Sequence, residues 1–275
     1  MSDERVHRVL RQHVETERLL GVEVVPVDLE AVAAAEPQDD AQGAAHTARV
    51  SRRSAAPVSV STQNPVRPAI VVRPDLPELV SGNAGASLAV LDEEAVRGCT
   101  QCELHAGRSQ TVFGTGDSAA SLMIVGEGPN ADDEQAGEPF AGEAGAFLNK
   151  QIAAMGLSRD AVYLTHLVKC RPPSNRMPHA DEAAACGGFL ARQVEIVSPK
   201  VILVMGGHAA KLLLGVTESI TRVRGQWHAY AGPAGEIPVM ATFHPTYLLR
   251  AYTPENRKKV WSDLQAVMGA LEAGK

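Results

Sequence analysis

Four short apolar runs constrain this chain more than any other feature. They are "LMIV" at 122–125, "AVYLTHLV" at 161–168, "VILVMG" at 201–206 and "PVMATF" at 238–243. Continuous apolar runs of this length mark strands covered on both faces, whereas a half-exposed strand alternates. Helical stretches separate them: Glu143 to Met155, Ala180 to Val197 and Ala209 to Leu214. A last helix starts at Thr253 as N-cap, with Pro254 at its first position and Glu255 behind it. Alternating strands and helices predict an α/β fold: three layers, α/β/α, around a central, mostly parallel four-stranded sheet. Ligands of such sheets bind at the carboxyl ends of the strands. Three segments therefore converge on one rim: "GEGPNADDEQAGEPFAG" (126–142), "THLVKCRPPSNR" (165–176) and "FHPTYLLR" (243–250).

The region before the first run is different. Residues 4 to 20 carry Val6, Val9, Leu10 and Val14 at helical spacing, so 1–32 reads as a helical N-terminal extension. Residues 33–85 are rich in Ala, Ser, Pro and Gly and lack aromatics, the composition of a mobile linker. The α/β domain then takes 86–275. No apolar run approaches the roughly 20 residues of a membrane span, and "MSDERVHRVL" lacks a secretory core. A cytoplasmic monomer is expected, with no membrane partner. The net charge of -6 argues against a uniformly basic nucleic-acid binder. Bases nevertheless gather at Lys169, Arg171 and Arg176, at Arg222 and Arg224, and from Arg250 to Lys259, so a local basic face is compatible with the total.

The only cysteines are Cys99, Cys102, Cys170 and Cys186. "CTQC" is a C-x-x-C pair, and thiols in a reducing compartment favour a metal over disulfides. Four thiolates suit zinc or an iron–sulfur cluster, and spacing does not separate the two. Unrelated buried thiols are the plain alternative.

"GEGPNADDEQAGEPFAGEAG", "VYLTHLVKCRPPSNR" and "FHPTYLLR", with the four cysteines, resemble the family 4 uracil-DNA glycosylases, over about 88–275. The resemblance implies a [4Fe–4S] cluster at Cys99, Cys102, Cys170 and Cys186. It also implies DNA containing uracil, double- or single-stranded, as partner, met at the nucleoid. The reaction implied is base excision: the nucleotide is flipped out and its N-glycosidic bond hydrolysed, leaving an abasic site.

Carried residue by residue, the resemblance makes Phe140 the ring that stacks on uracil, although a core phenylalanine would look the same. His244 becomes the donor to the uracil oxygen, where negative charge develops. Main-chain groups of Glu127 and Gly128 approach the base edge, and Glu127 or the acidic run holds the water. Asp133 takes the place of a functional Glu, one methylene shorter. Asn175 matches a position near the base. Asn130 replaces a usual glycine and is expected to tolerate a positive φ. The sharpest departure is His166, where the family has an asparagine that reads the uracil edge. An amide offers donor and acceptor together, an imidazole one of each on opposite sides. His166→Asn is accordingly expected to raise excision. Leu248, Leu249 and Arg250 close a wedge loop, with one leucine inserting and one packing inward. Lys169, Arg171 and Arg176 are the expected phosphate contacts.

Two other classes compete. One is a nucleotide-binding or redox α/β protein, although "GEGPN" lacks the third glycine of a dinucleotide fingerprint and its acids repel phosphate. The other is a uracil- or damage-binding member of the same superfamily with weak or altered activity because of His166.

Overall fold

The structure is a computed structural model describing residue 70 and residues 73–232 and 235–273. The expected N-terminal helix and most of the expected linker lie outside the described residues.

Among the described residues the sheet has six strands, in the order β1-β3-β2-β4-β6-β5. These are β1 Thr115–Gly116, β2 Leu122–Gly126, β3 Tyr163–His166, β4 Val201–Met205, β5 Trp227–Gly232 and β6 Gly235–Thr242. The four apolar runs form the parallel centre: β2 pairs with β3 and β4, and β4 with β6. The expected four-stranded sheet is thus the middle of a larger one. Antiparallel β1 and β5 extend its two edges. They escaped sequence reading because β1 is two residues long and "WHAYAG" is only partly buried, without a continuous apolar run.

Alternate residues of each central strand feed opposite layers. Met123, Val125, Ile202 and Val204 pack with Phe189, Leu190 and Val194 of the helix Ala180–Val197. Leu122, Ile124, Leu203 and Met205 pack with Leu148 and Ile152 of Gly142–Ala154, and with Val260, Leu264 and Val267 of Pro254–Ala273. Period-2 alternation on fully buried strands gives one core per face. That accounts for the three layers.

The domain begins before residue 86. Ile70 and Leu76 are buried, and the Arg73 guanidinium covers the Phe189 ring at 4.7 Å. Arg192 donates to the Pro77 carbonyl at 3.1 Å. Two helical glycines make the seat: a Cβ at Gly187 would lie 3.0 Å from Ile70 Cγ1, and one at Gly188 2.6 Å from Arg73 Cγ. Composition concealed this packing because the ordered segment contributes only two large apolar side chains to the core.

Candidate active site

Strand β2 leads to β3 on one side and is flanked by β4 on the other, so the carboxyl ends of these strands open a crevice. A cleft there is lined by Glu127, Gly128, Phe140, His166, Asn175, Arg176, His244, Leu249 and Arg250 among others. The three segments expected to converge do meet.

Phe140 forms the wall between the two histidines. Its ring centroid lies 4.6 Å from that of His166 and 5.9 Å from that of His244, nearly parallel to the latter at 29°. Only 2% of Phe140 is exposed, and its φ is 55°. Left-handed backbone is rare for an aromatic residue, so the surroundings hold the ring in place.

His244 is the N-cap of the short helix Pro245–Arg250. Its Nδ1 accepts the Thr246 N–H at 3.3 Å and lies 2.8 Å from Thr246 Oγ1. An accepting Nδ1 leaves the proton on Nε2. Burial lowers its pKa to about 4. The ring is therefore a neutral donor at physiological pH. Thr246, two residues after the histidine, sets this tautomer and was missed by sequence reading; the only signal was its capping distance.

The two carboxylates named from sequence are both engaged. Glu127 Oε1 accepts the His208 N–H at 2.9 Å at the start of the helix Gly207–Leu214, and burial raises its pKa. It still borders the cleft. Asp133 is buried: Oδ1 accepts the Ala141 N–H at 2.7 Å, while Oδ2 meets the Asn130 N–H at 3.1 Å and His166 Nε2 at 3.0 Å. With both oxygens committed inside the protein, Asp133 is not a water-holding acid. Asn130 corrects a second expectation. Its φ is -97°, and it caps the helix Ala131–Ala136 in a box with Asp133.

The basic residues divide. Lys169 is not a phosphate contact. It is 1% exposed, and its Nζ donates to Thr165 Oγ1 (2.6 Å), the His166 carbonyl (2.8 Å) and Gln193 Oε1 (2.6 Å). Burial draws its pKa down to about 7, but three acceptors at bonding distance match the three protons of an ammonium, and this geometry decides for the charged form. Arg171 donates to Asn175 Oδ1 at 2.7 Å and approaches Glu134 at 3.4 Å. Arg176 holds Glu182 through both nitrogens, at 2.8 and 2.6 Å. That pair anchors the loop and leaves Met177, missed from sequence, 54% exposed on the cleft wall. Leu248 is 1% exposed and packs inward, whereas Leu249 borders the cleft.

None of the four cysteines is paired in a disulfide, and all four line one small cavity with Val96, Arg108 and Phe189. Arg108 Nη1 donates to Cys170 Sγ at 3.2 Å, and the Lys169 N–H to Cys186 Sγ at 3.3 Å. Burial raises the thiol pKa of Cys102 and Cys170 and pushes Cys186 up to about 12. Among the described residues no group of three or more His, Cys, Asp or Glu side chains stands in ligating geometry. The donor set nevertheless fits a thiolate-bound centre: four sulfurs on one cavity, two of them receiving N–H groups in an apolar shell.

A profile of the uracil DNA glycosylase superfamily matches residues 113–265. The type-4 uracil-DNA glycosylase of Thermotoga maritima is 42% identical over 173 residues, covering 62% of this chain and 88% of the relative. That of Archaeoglobus fulgidus is 36% identical over 176 residues, covering 62% and 87%. A type-5 uracil-DNA glycosylase of Pyrobaculum aerophilum is 33% identical over 148 residues, covering 48% and 64%. The profile spans more than half of the chain and the type-4 relatives align over most of their length, so the chain belongs to the uracil DNA glycosylase superfamily, in its type-4 branch.

Proposed function

We propose that this chain excises uracil from DNA. The observation that carries the reading is the convergence of Phe140, His166 and His244, from three distant segments, on one cleft. A base inside a duplex cannot be reached, so it must be extruded and held as a flat ring with polar edges. Phe140 supplies the face. As the C1′–N1 bond breaks, its electrons leave with uracil and the sugar becomes cation-like. His244 donates its Nε2–H to the uracil oxygen that gains charge; such a donor contributes roughly 10²–10³ in rate. Glu127 supplies fixed negative charge beside the sugar. Water adds to C1′ and gives up a proton that ends on the departing uracil anion, leaving an abasic site and free uracil. Leu249 fills the stack, while Arg250 and Arg171 meet phosphates.

Cys99, Cys102, Cys170 and Cys186 would hold a [4Fe–4S] cluster, and such a centre would tie the segment before β1 to the loop after β3 and to the helix Ala180–Val197. Oligonucleotides carrying one uracil, single- or double-stranded, followed by alkaline cleavage of abasic sites, test the reading. Strand scission dependent on uracil supports it. Binding without scission moves the chain to the damage-binding alternative.

A further inference from the structure

Two cations, Arg108 and Lys169, border the cysteine cavity, and no carboxylate does. Arg108 Nη1 donates to Cys170 Sγ at 3.2 Å and to the Cys99 carbonyl at 2.7 Å, while Nη2 donates to the Arg97 carbonyl at 3.0 Å. One guanidinium thus bridges the C-x-x-C segment and the loop after β3. Lys169 is buried, and the acceptors of its Nζ, Thr165 Oγ1, the His166 carbonyl and Gln193 Oε1, are all neutral. Its own N–H reaches Cys186 Sγ at 3.3 Å. Among the described residues neither cation forms an ion pair with a carboxylate. Asp92, an acid whose field reaches Lys169, is itself paired with Arg97 at 3.0 Å.

Hydrogen bonds to neutral oxygens hold an ammonium without cancelling its charge. Buried charges are ordinarily paired or face a metal site. Thiols are neutral and cancel nothing. Thiolates on a divalent core, [4Fe–4S] in its oxidised form or zinc, are different: the four negative charges of Cys99, Cys102, Cys170 and Cys186 less the core's two leave two. Two cations balance that remainder. Charge therefore accounts for both residues at once, Arg108 at the rim of the cavity and Lys169 inside it.

We propose that Arg108 and Lys169 are the counter-cations of the thiolate centre, and that their charge, more than the hydrogen bonds they make, sets how firmly the four sulfurs keep their metal. This rests on the reading of the four cysteines as a metal centre and not on uracil excision. With iron bound, the same two charges hold the reduction potential up. An added electron makes the centre more negative, and neighbouring cations favour that form.

The test uses the full-length chain, purified without oxygen and with its metal in place. Metal loss is followed in excess chelator, ferrozine for iron or pyridylazoresorcinol for zinc. Arg108→Gln keeps an N–H donor without the charge and should release metal about 10–100-fold faster than the wild type. Arg108→Lys keeps the charge without the planar fork and should stay close to the wild type. With iron, the potential of Arg108→Gln should fall, by about 59 mV if the one-electron equilibrium moves tenfold, and that of Arg108→Lys should hold. Lys169→Met should behave as Arg108→Gln does. Arg108 is only half-buried, so its variants decide the question if Lys169→Met does not fold, with circular dichroism as the check on folding. Arg108→Gln as slow as the wild type, Arg108→Lys as fast as Arg108→Gln, an unchanged or raised potential, or a folded Lys169→Met that keeps its metal overturns the inference. A wild-type chain carrying neither iron nor zinc overturns the metal reading and this inference with it. No step reads uracil excision, so failure there and failure here stay distinct.

Discussion

Phe140 and His244 stack across the cleft with centroids 5.9 Å apart, one from the loop after β2 and the other from the loop after β6. Phe140 is buried with a left-handed backbone, and His244 is half-buried and neutral. Phe140→Ala is expected to abolish measurable excision and to cost about 3–5 kcal/mol of stability, as for other buried aromatic truncations. Phe140→Leu, which retains apolar volume without a ring, separates the two effects: most of the stability should return in thermal unfolding, and excision should not.

His244 gives a pH signature. Its pKa falls from 6.5 to about 4 in the folded chain, so the unfolded chain binds the extra proton first. This contribution to stability is present above pH 6.5 and is lost as pH falls through 6.5 toward 4. The profile of kcat/KM should accordingly show no break near 6.5 from this residue. His244→Ala should lower excision roughly 10²–10³-fold while uracil-DNA binding changes much less.

Lys169 separates a buried cation from a phosphate contact. Lys169→Met removes the ammonium that donates to Thr165 Oγ1, the His166 carbonyl and Gln193 Oε1. We expect a loss of about 2–4 kcal/mol in chemical denaturation. The slope of DNA affinity against salt should be unchanged, because no phosphate is released.

The neighbouring leucines should part in the same way. Leu248→Ala is expected to lower stability by about 2–5 kcal/mol through its cavity. Leu249→Ala should leave unfolding unaltered and slow excision from duplex more than from single-stranded DNA, since only the duplex leaves a gap to fill.

The cysteine cavity predicts a brown protein whose visible absorbance is bleached by oxidation and lost in Cys99→Ser or Cys186→Ser. Metal analysis that returns zinc in place of iron would reassign the centre.

Sequence alone determined the central sheet, its rim and the segments that meet there. A run such as "VILVMG", apolar throughout, rich in β-branched residues and too short for a helix, fits a strand covered on both faces, and strand ends carry the loops that follow them. It also placed the four thiols together, because their number and the C-x-x-C pair are local facts. What it could not settle was the state of each polar side chain. Lys169 reads as surface charge beside Arg171, yet Gln193 and Thr165, from other elements, supply acceptors that make its burial tolerable. Asp133 reads as a catalytic acid, yet Asn130, Ala141 and His166 consume its oxygens. Protonation, tautomer and burial depend on partners brought from elsewhere in the chain, and only the folded structure decides which partners arrive.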